Sequence, residues 1–572
     1  MKLRNIYGLA LSVLAAGAAV TACTDDNDWT TDPAYDRMFG VNSNKISIET
    51  DQEDPSTVGV TFTPIEGAEY YVIEVSTDSL YDDIPMGGEN ATVYGEDKSI
   101  IKSPAQLENM REETQYYMRI KTMSSTTAES HWVYYNMGEP FKTLGIIYDV
   151  PSADILEDRI TLRWIAGSEV THITYTTTAN GEEITETRQL TEAEIAASSC
   201  TIKGLDQNKT YKFAIYNGDV LRGTKTVKTA KAMPWATVRQ ELGDDVTQID
   251  QDLMDMLAQK ALDIMAAEGK DTASVTIGVP AGKTMPLGTT EESLSVPEGI
   301  SVTFFGMAGE VPTLQLHKAL KADGHRNGGY IRFEHINVDG MYNAETGDKG
   351  CEYIFQAKNE CDLDSIVFMD SNISNINKSI VALEGSSSEA VRLIKIDNCV
   401  ITNHAGDYAF IKIDKGGCTV NDIEIKNSTF NSICPNPDKD KAFIDLNNIP
   451  SAVNINIENC TFYNILGKGA FLITDKSQEK AETSTINVSI YRVLFAKNAG
   501  EKAKGYRGVN MTATSSYMTS DFKLDKNYEW GVQSYNGSSS DVFEDPATGN
   551  FTLKVNDLIR EEVGDPRWYT AQ

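Results

Sequence analysis

The stretch IENCTFYN, residues 457–464, returns along the chain in altered form: IDNCVITN from Ile396, IKNSTFNS from Ile425 and, more loosely, FMDSNISN from Phe368. Aligning Asp370, Asn398, Asn427 and Asn459 extends the series to His335 in FEHINV and Arg492 in IYRVLF, at steps of 35, 28, 29, 32 and 33 residues. Self-similar strands at a period of roughly 20–45 residues signal a solenoid, in which a coil that cannot bury its apolar face alone stacks on its neighbours. The octapeptide then reads as strand, bend, strand. Ile396, Ile425 and Ile457 stack inside the tube, and Ile401, Phe430 and Phe462 form a second internal ladder. Ser371, Cys399, Ser428 and Cys460 make a column of small residues. Asn suits the bend because it tolerates left-handed backbone geometry, and stacked amides can bond along the tube axis. The repeat is therefore structural, and its Asn and Cys are not a catalytic set.

Upstream lies the one strong helical pattern, 246–270, with Ile249, Leu253, Met256, Leu257, Ala261 and Ile264 on one face and Gly269 at its end. Strand-rich SVTIGVPAGKTMPL (274–287) and ISVTFFGMAGEVPTLQL (300–316) follow. This order resembles the opening of pectin-lyase-like domains. It implies a right-handed parallel β-helix over 240–572, with an N-terminal helix plugging the first coil.

Before it, residues 40–145 and 146–230 alternate apolar and polar on a period of two, as in VGVTFTP (58–64) and YYVIEVS (70–76). Leu107 with Tyr116, Met118 and Ile120, and Leu205 with Tyr211, Phe213 and Ile215, resemble the tyrosine-corner region of fibronectin type III sandwiches. Trp164 falls on a core face. The fold class is all-β: two such sandwiches in series, then the β-helix.

The 572 residues carry a formal charge of −32. Residues 1–200 hold 13 Lys+Arg against 33 Asp+Glu, and residues 401–500 are nearly neutral, 10 against 11. An acidic surface repels nucleic acid and anionic lipid heads, so neither is expected as a partner. Eight cysteines without a C-x-x-C pair are neither a disulfide framework nor a zinc site, although Cys351 and Cys361 could bridge.

MKLRNIYGLALSVLAAGAAVTAC opens the chain with Lys2 and Arg4 and an apolar run too short to span a bilayer. Val20-Thr21-Ala22-Cys23 resembles a bacterial lipobox, which implies a cleaved signal peptide (1–23) and a lipid on Cys23. The acidic tether 24–39, beginning TDDNDWTTD, resembles the surface-export signal of Bacteroidetes lipoproteins. The ending DPATGNFTLKVNDLIREEVGDPRW (545–568) resembles that of Bacteroidetes outer-membrane lipoproteins of glycan-utilisation loci, some joining sandwiches to a β-helix of unknown function. Val555, Leu558 and Trp568 are expected to cover the open apolar end of the last coil. The resemblance implies an outer-membrane protein, lipid-anchored and facing outward, that meets polysaccharide and outer-membrane glycan transporter components.

Chemistry is harder to find. A β-helix lyase needs Ca²⁺ on carboxylates and a strong base for the proton beside the uronate carboxyl. Asp362 and Asp364 share a strand face, Asp370 follows one bend later, and Arg392 and Lys395 fall on the next coil. They are the candidate Ca²⁺ site, to be weighed against an ordinary solvated acidic face. No paired carboxylates stand out for a hydrolase, and His325, Arg326 and His404 lack a motif. Tyr528, Trp530 and Tyr535, amid Gly, Ser and Asn in KNYEWGVQSYNGSSSD (526–541), are the candidate glycan-binding aromatics. The polar insertions CPNPDKDKA (434–442), TDKSQEKAETST (474–485) and ADGHRNGGY (322–330) are expected to build a binding flank. The resulting expectation is a non-catalytic surface lipoprotein that binds polysaccharide, with pectin the class the fold points to and no cofactor required. An anionic ligand requires a local Lys/Arg patch or bridging Ca²⁺. A Ca²⁺-dependent lyase and a structural or adhesive surface protein are the alternatives.

Overall fold

The bend residues of the repeat all take the left-handed conformation expected of them. In the computed structural model, which describes residues 37–569 except 244, 327, 386–388, 414–416, 448, 478–483 and 526–529, φ is 53° at His335, 50° at Asp370, 53° at Asn398, 48° at Asn427, 50° at Asn459 and 53° at Arg492. One residue in this region turns the chain sharply enough for strands on either side to join different sheets. The amides then bond from coil to coil: Asn398 Nδ2 donates to Asp370 Oδ1 at 2.7 Å, and Asn459 Nδ2 to Asn427 Oδ1 at 3.3 Å.

The last residue of the octapeptide makes a second such column, which the repeat alone does not disclose. Asn375, Asn403, Ser432 and Asn464 have φ of 60°, 58°, 60° and 53°. Asn403 Nδ2 donates to Asn375 Oδ1 at 2.5 Å and Asn464 Nδ2 to Ser432 Oγ at 3.0 Å. The small-residue column explains itself equally well. Cys399 Sγ donates to Asp397 O, Cys460 Sγ to Glu458 O, and Ser371 Oγ to Met369 O, so thiol and hydroxyl satisfy the same carbonyl position.

These turns generate three parallel sheets in about eight coils. The first has ten strands, from Val238–Glu241 to Asn510–Thr514; the second has ten, from Thr284–Leu287 to Gln533–Ser534; the third has six, from Tyr353–Ala357 to Gly505–Arg507. Inside, Ile396, Ile425 and Ile457 are register partners, as are Ile401, Phe430 and Phe462. All are at most 1% exposed. Phe430 stacks on Phe462, and Phe462 on Phe495, at 4.7 and 5.1 Å between centroids. All seven described cysteines are buried thiols outside any disulfide, Cys351 and Cys361 included.

The plug helix spans Gln251–Ala266, with Asp250 accepting from Leu253 N–H at 3.0 Å as its N-cap. Its buried face is Met254, Leu257, Ala258 and Ala261, whereas Met256 and Ile264 are 58% and 43% exposed. The expected face therefore holds at Ile249, Leu257 and Ala261, with Leu253 partly buried against the same core, and is corrected at Met256 and Ile264, which lie on its edge.

The C-terminal segment also departs from expectation. Trp530, Phe522 and Val532, not Trp568, join the core at the last coils, where Phe495 lies 4.6 Å from Trp530. Residues 542–569 instead run along the outer face of the second sheet. Val542, Phe543, Phe551, Leu553, Leu558 and Val563 bury Tyr463, Leu494 and Ala496 there. The GDPRW ending crosses successive coils as a strap. Gly564 N–H donates to Arg492 O, Asp565 N–H to Thr461 Oγ1, Trp568 Nε1 to Thr429 Oγ1, and Arg567 Nη2 to Asn398 Oδ1, at 2.7–3.0 Å.

The other compact unit, ending at Ala230, holds the two sandwiches. Tyr116 and Tyr211 are buried, and their hydroxyls accept from Arg111 N–H and Asp206 N–H at 3.1 and 2.9 Å, the tyrosine-corner bonds. Trp164 is core at 1% exposure. A fully buried Arg119–Glu74 pair, 2.7 Å apart, satisfies its remaining guanidinium donors on Tyr81 O and Ile84 O. Pairing and hydrogen bonding of this kind are what make a buried charge tolerable.

Candidate functional site

The outer face of the third sheet concentrates polar and aromatic side chains. Gln356, Ala382, Lys412, Asp445, Thr474 and Arg507 are successive register partners in adjacent strands. This column therefore offers a side chain about every 4.8 Å along the tube. The 434–442 insertion leads into the third-sheet strand Ile444–Leu446; most of the 474–485 insertion lies outside the described residues.

Toward the last coils the column opens into a cleft of about 340 Å³. Lys441, Lys476, Lys504 and Arg507 line it, with Asp440, Asp445 and Phe471. The Phe471 ring is 8% exposed, and Lys504 Nζ and the Arg507 guanidinium stand 5.5 and 4.9 Å from its centroid. Cations over an aromatic face are held by the ring quadrupole without losing their charge. Arg507 Nε donates to Thr474 Oγ1 at 3.0 Å, which fixes the guanidinium plane. Lys476 pairs with Asp445. Among the described residues no carboxylate pairs with Lys441 or Arg507.

Further along the same face the charges are matched. Lys378 Nζ lies 5.4 Å from the Tyr353 ring and 4.9 Å from the Tyr408 ring, and pairs with Glu352. Lys412 Nζ and Gln356 Nε2 both donate to Glu384 at 2.6 Å. Burial opposes the Glu384 charge, but these two bonds prevail and hold its carboxyl below the ordinary range.

The sequence candidates fall elsewhere. Cys23 and Tyr528 lie outside the described residues. Trp530 is 4% exposed, packed between Phe495 and Phe522, so its faces are not offered to a sugar. Tyr535 is half-buried beside Tyr517 in the strap cluster. The two do not form one platform.

Asp362 and Asp364 do share a face, as their spacing requires, but Arg392 occupies it. Its Nη1 lies 2.7 Å from Asp362 and 3.1 Å from Asp364. Asp364 also accepts from Gly329 N–H at 3.0 Å. Asp370 sits past the opposite end of that strand, bonded to Lys231 and Asn398. Burial disfavours its charge, yet the Lys231 and Asn398 bonds hold its carboxyl below the usual range. Lys395 pairs with Asp397 at 3.2 Å. These residues do not fit a Ca²⁺ ion: a cation already stands between two of them and the third is committed elsewhere. Among the described residues no three His, Cys, Asp or Glu side chains converge as metal ligands.

The two candidate histidines, His325 and His404, are structural. His325 is fully buried, with Nε2 3.1 Å from Val296 O, while Arg326 pairs with Glu360 at the rim of a second cleft of about 340 Å³. His404 ties three coils: Nε2–H donates to Lys378 O, and Nδ1 accepts from Gly406 N–H and Cys434 N–H at 3.0 and 3.3 Å. Burial lowers its pKa to about 4. The cleft residues Lys476, Lys504, Arg507 and Phe471 escape a sequence reading because they come from two coils and carry no local motif. The near-neutral charge of 401–500 within an acidic chain was the one available signal.

A domain family of unknown function (DUF5123) matches residues 455–568, the last coils together with the strap. No curated protein sequence matches this chain. Among solved structures, a two-domain fibronectin type III segment of chicken tenascin is 14% identical. It covers 34% of this chain and 99% of its own, at a TM-score of 0.18. The chicken interferon gamma receptor alpha chain is 10% identical, covering 34% of this chain and 98% of its own at 0.17.

Proposed function

We propose that this chain is a cell-surface lipoprotein whose β-helix binds polysaccharide without cleaving it. The carrying observation is the third-sheet face, where polar and charged side chains recur coil by coil beside the 434–442 insertion. A polysaccharide is an extended repeat, and a surface that repeats along one axis meets successive sugars with successive coils. Lys, Gln, Glu and Thr bond sugar hydroxyls and carboxylates, and the half-buried Tyr408 ring offers an apolar contact. The signal peptide, Cys23 and the tether supply the outer-membrane anchor in this reading, and the sandwiches hold the β-helix away from the membrane. Pectic chains are the first class to test, and outer-membrane glycan transporter components are the partners to which a captured chain passes.

Affinity electrophoresis of the purified protein against a panel of neutral and acidic glycans tests this, with ultraviolet absorbance of unsaturated uronate followed in parallel. Retention without product is expected. Retention on no glycan would favour the structural or adhesive reading, and rising absorbance would favour the lyase.

A further inference from the structure

We infer that the Lys441–Lys476–Lys504–Arg507 cleft is a carboxylate-binding subsite that selects acidic over neutral or esterified chains and needs no divalent cation. This rests on the polysaccharide-binding reading and narrows it to polymers with free carboxylates. Among the described residues lining the cleft, four cations face two carboxylates, against a chain whose net charge is −32. Such a local reversal of sign attracts a polyanion that the rest of the surface repels.

The geometry also suits a carboxylate. Arg507 spends Nε on Thr474, which leaves its two terminal nitrogens to grip a carboxylate in the planar, paired way guanidinium favours. Phe471 underlies both Arg507 and Lys504, so the two charges are held in place before a ligand arrives. Lys441 enters from the 434–442 insertion on the rim and has no carboxylate partner among the described residues. Direct ion pairing of this kind removes the need for a Ca²⁺ bridge, which an acidic protein would otherwise require to hold an acidic polymer. A methyl ester carries no charge and accepts weakly, so esterification removes the main attraction.

The test is retention of the full chain in gels containing polygalacturonate, the same polymer methyl-esterified, or a neutral glucan, all with a chelator present. Strong retention on the free acid, weakened several-fold by high salt, and little on the ester or glucan, is expected. The double variant Lys504→Gln, Arg507→Gln is expected to bind the free acid about tenfold or more weakly. Lys441→Gln, at the rim of the fold, is expected to lose several-fold with an unchanged melting temperature, which keeps the test valid if the double variant is unstable. Equal retention on acid and ester, abolition by the chelator, or full binding by Lys441→Gln and by a folded double variant would overturn the inference. Retention on glucan alone would overturn it while leaving polysaccharide binding standing. Retention on none of the polymers would remove both.

Discussion

The second and third sheets share one tube but have opposite outer faces. On the second, Thr429, Thr461, Tyr463, Leu494 and Ala496 lie under the C-terminal strap and its apolar cluster. On the third, Asp445, Thr474 and Arg507 line an open cleft, and Lys412 continues their column on the next strand. The inside of the coil is uniform, because every coil must bury the same ladder. The outside is free, so each sheet's exterior is specialised by the side chains that point away from the core. One face contributes to stability and the other is available for recognition.

That division makes the strongest expectation about Phe551, which is 1% exposed and packs against Tyr463, Phe543 and Trp568. Phe551→Ala should cost about 3–5 kcal/mol in chemical denaturation, while Arg507→Ala should shift stability by no more than about 0.5 kcal/mol. Equal costs would dissolve the comparison between faces.

A second expectation concerns acid. The His404 imidazole takes a proton near 6.5 when unfolded but only near 4 when folded, because burial disfavours the charged ring; charging it would also set Nδ1–H against the two N–H groups it accepts from. Its contribution is complete above 6.5 and is lost as the pH falls from 6.5 toward 4, by about 3 kcal/mol. Denaturation of wild type and His404→Asn across pH 4–7.5 should show the wild-type advantage shrinking downward in pH; a constant difference would contradict it.

The bend column predicts a smaller effect. Asn427→Ala loses the amide bond to Asp397 at 3.0 Å and puts alanine at φ 48°, for about 1–2 kcal/mol. Cys399→Ser should be smallest, within about 1 kcal/mol, because serine makes the same bond to the same carbonyl in the same column. Melting temperatures of the two variants check the order.

What could be read in the sequence was the inside. Ile396, Asn398, Cys399 and Ile401 recur because stacking forces identical chemistry at identical positions. The plug helix was visible in its own apolar spacing, though Met256 and Ile264 at the edge of that stripe face solvent. The strap was misplaced because Val555, Leu558 and Trp568 show that a segment buries something without showing which surface receives it. The cleft left no local pattern, since Phe471 and Arg507 meet only after the chain has gone once round the tube. Trp530 misled for the opposite cause: Gly, Ser and Asn around an aromatic resemble a binding loop, whereas this indole closes the core against Phe495.

Lysine footprinting tests the central claim most directly. The protein would be acetylated with and without a retained acidic glycan, and each lysine's modification rate read by mass spectrometry. Slowed modification is expected at Lys441, Lys476 and Lys504, with Lys283 and Lys426 unchanged. Protection centred on Lys395 and Lys426 of the first sheet, or none at the third-sheet lysines while the glycan is bound, would contradict it.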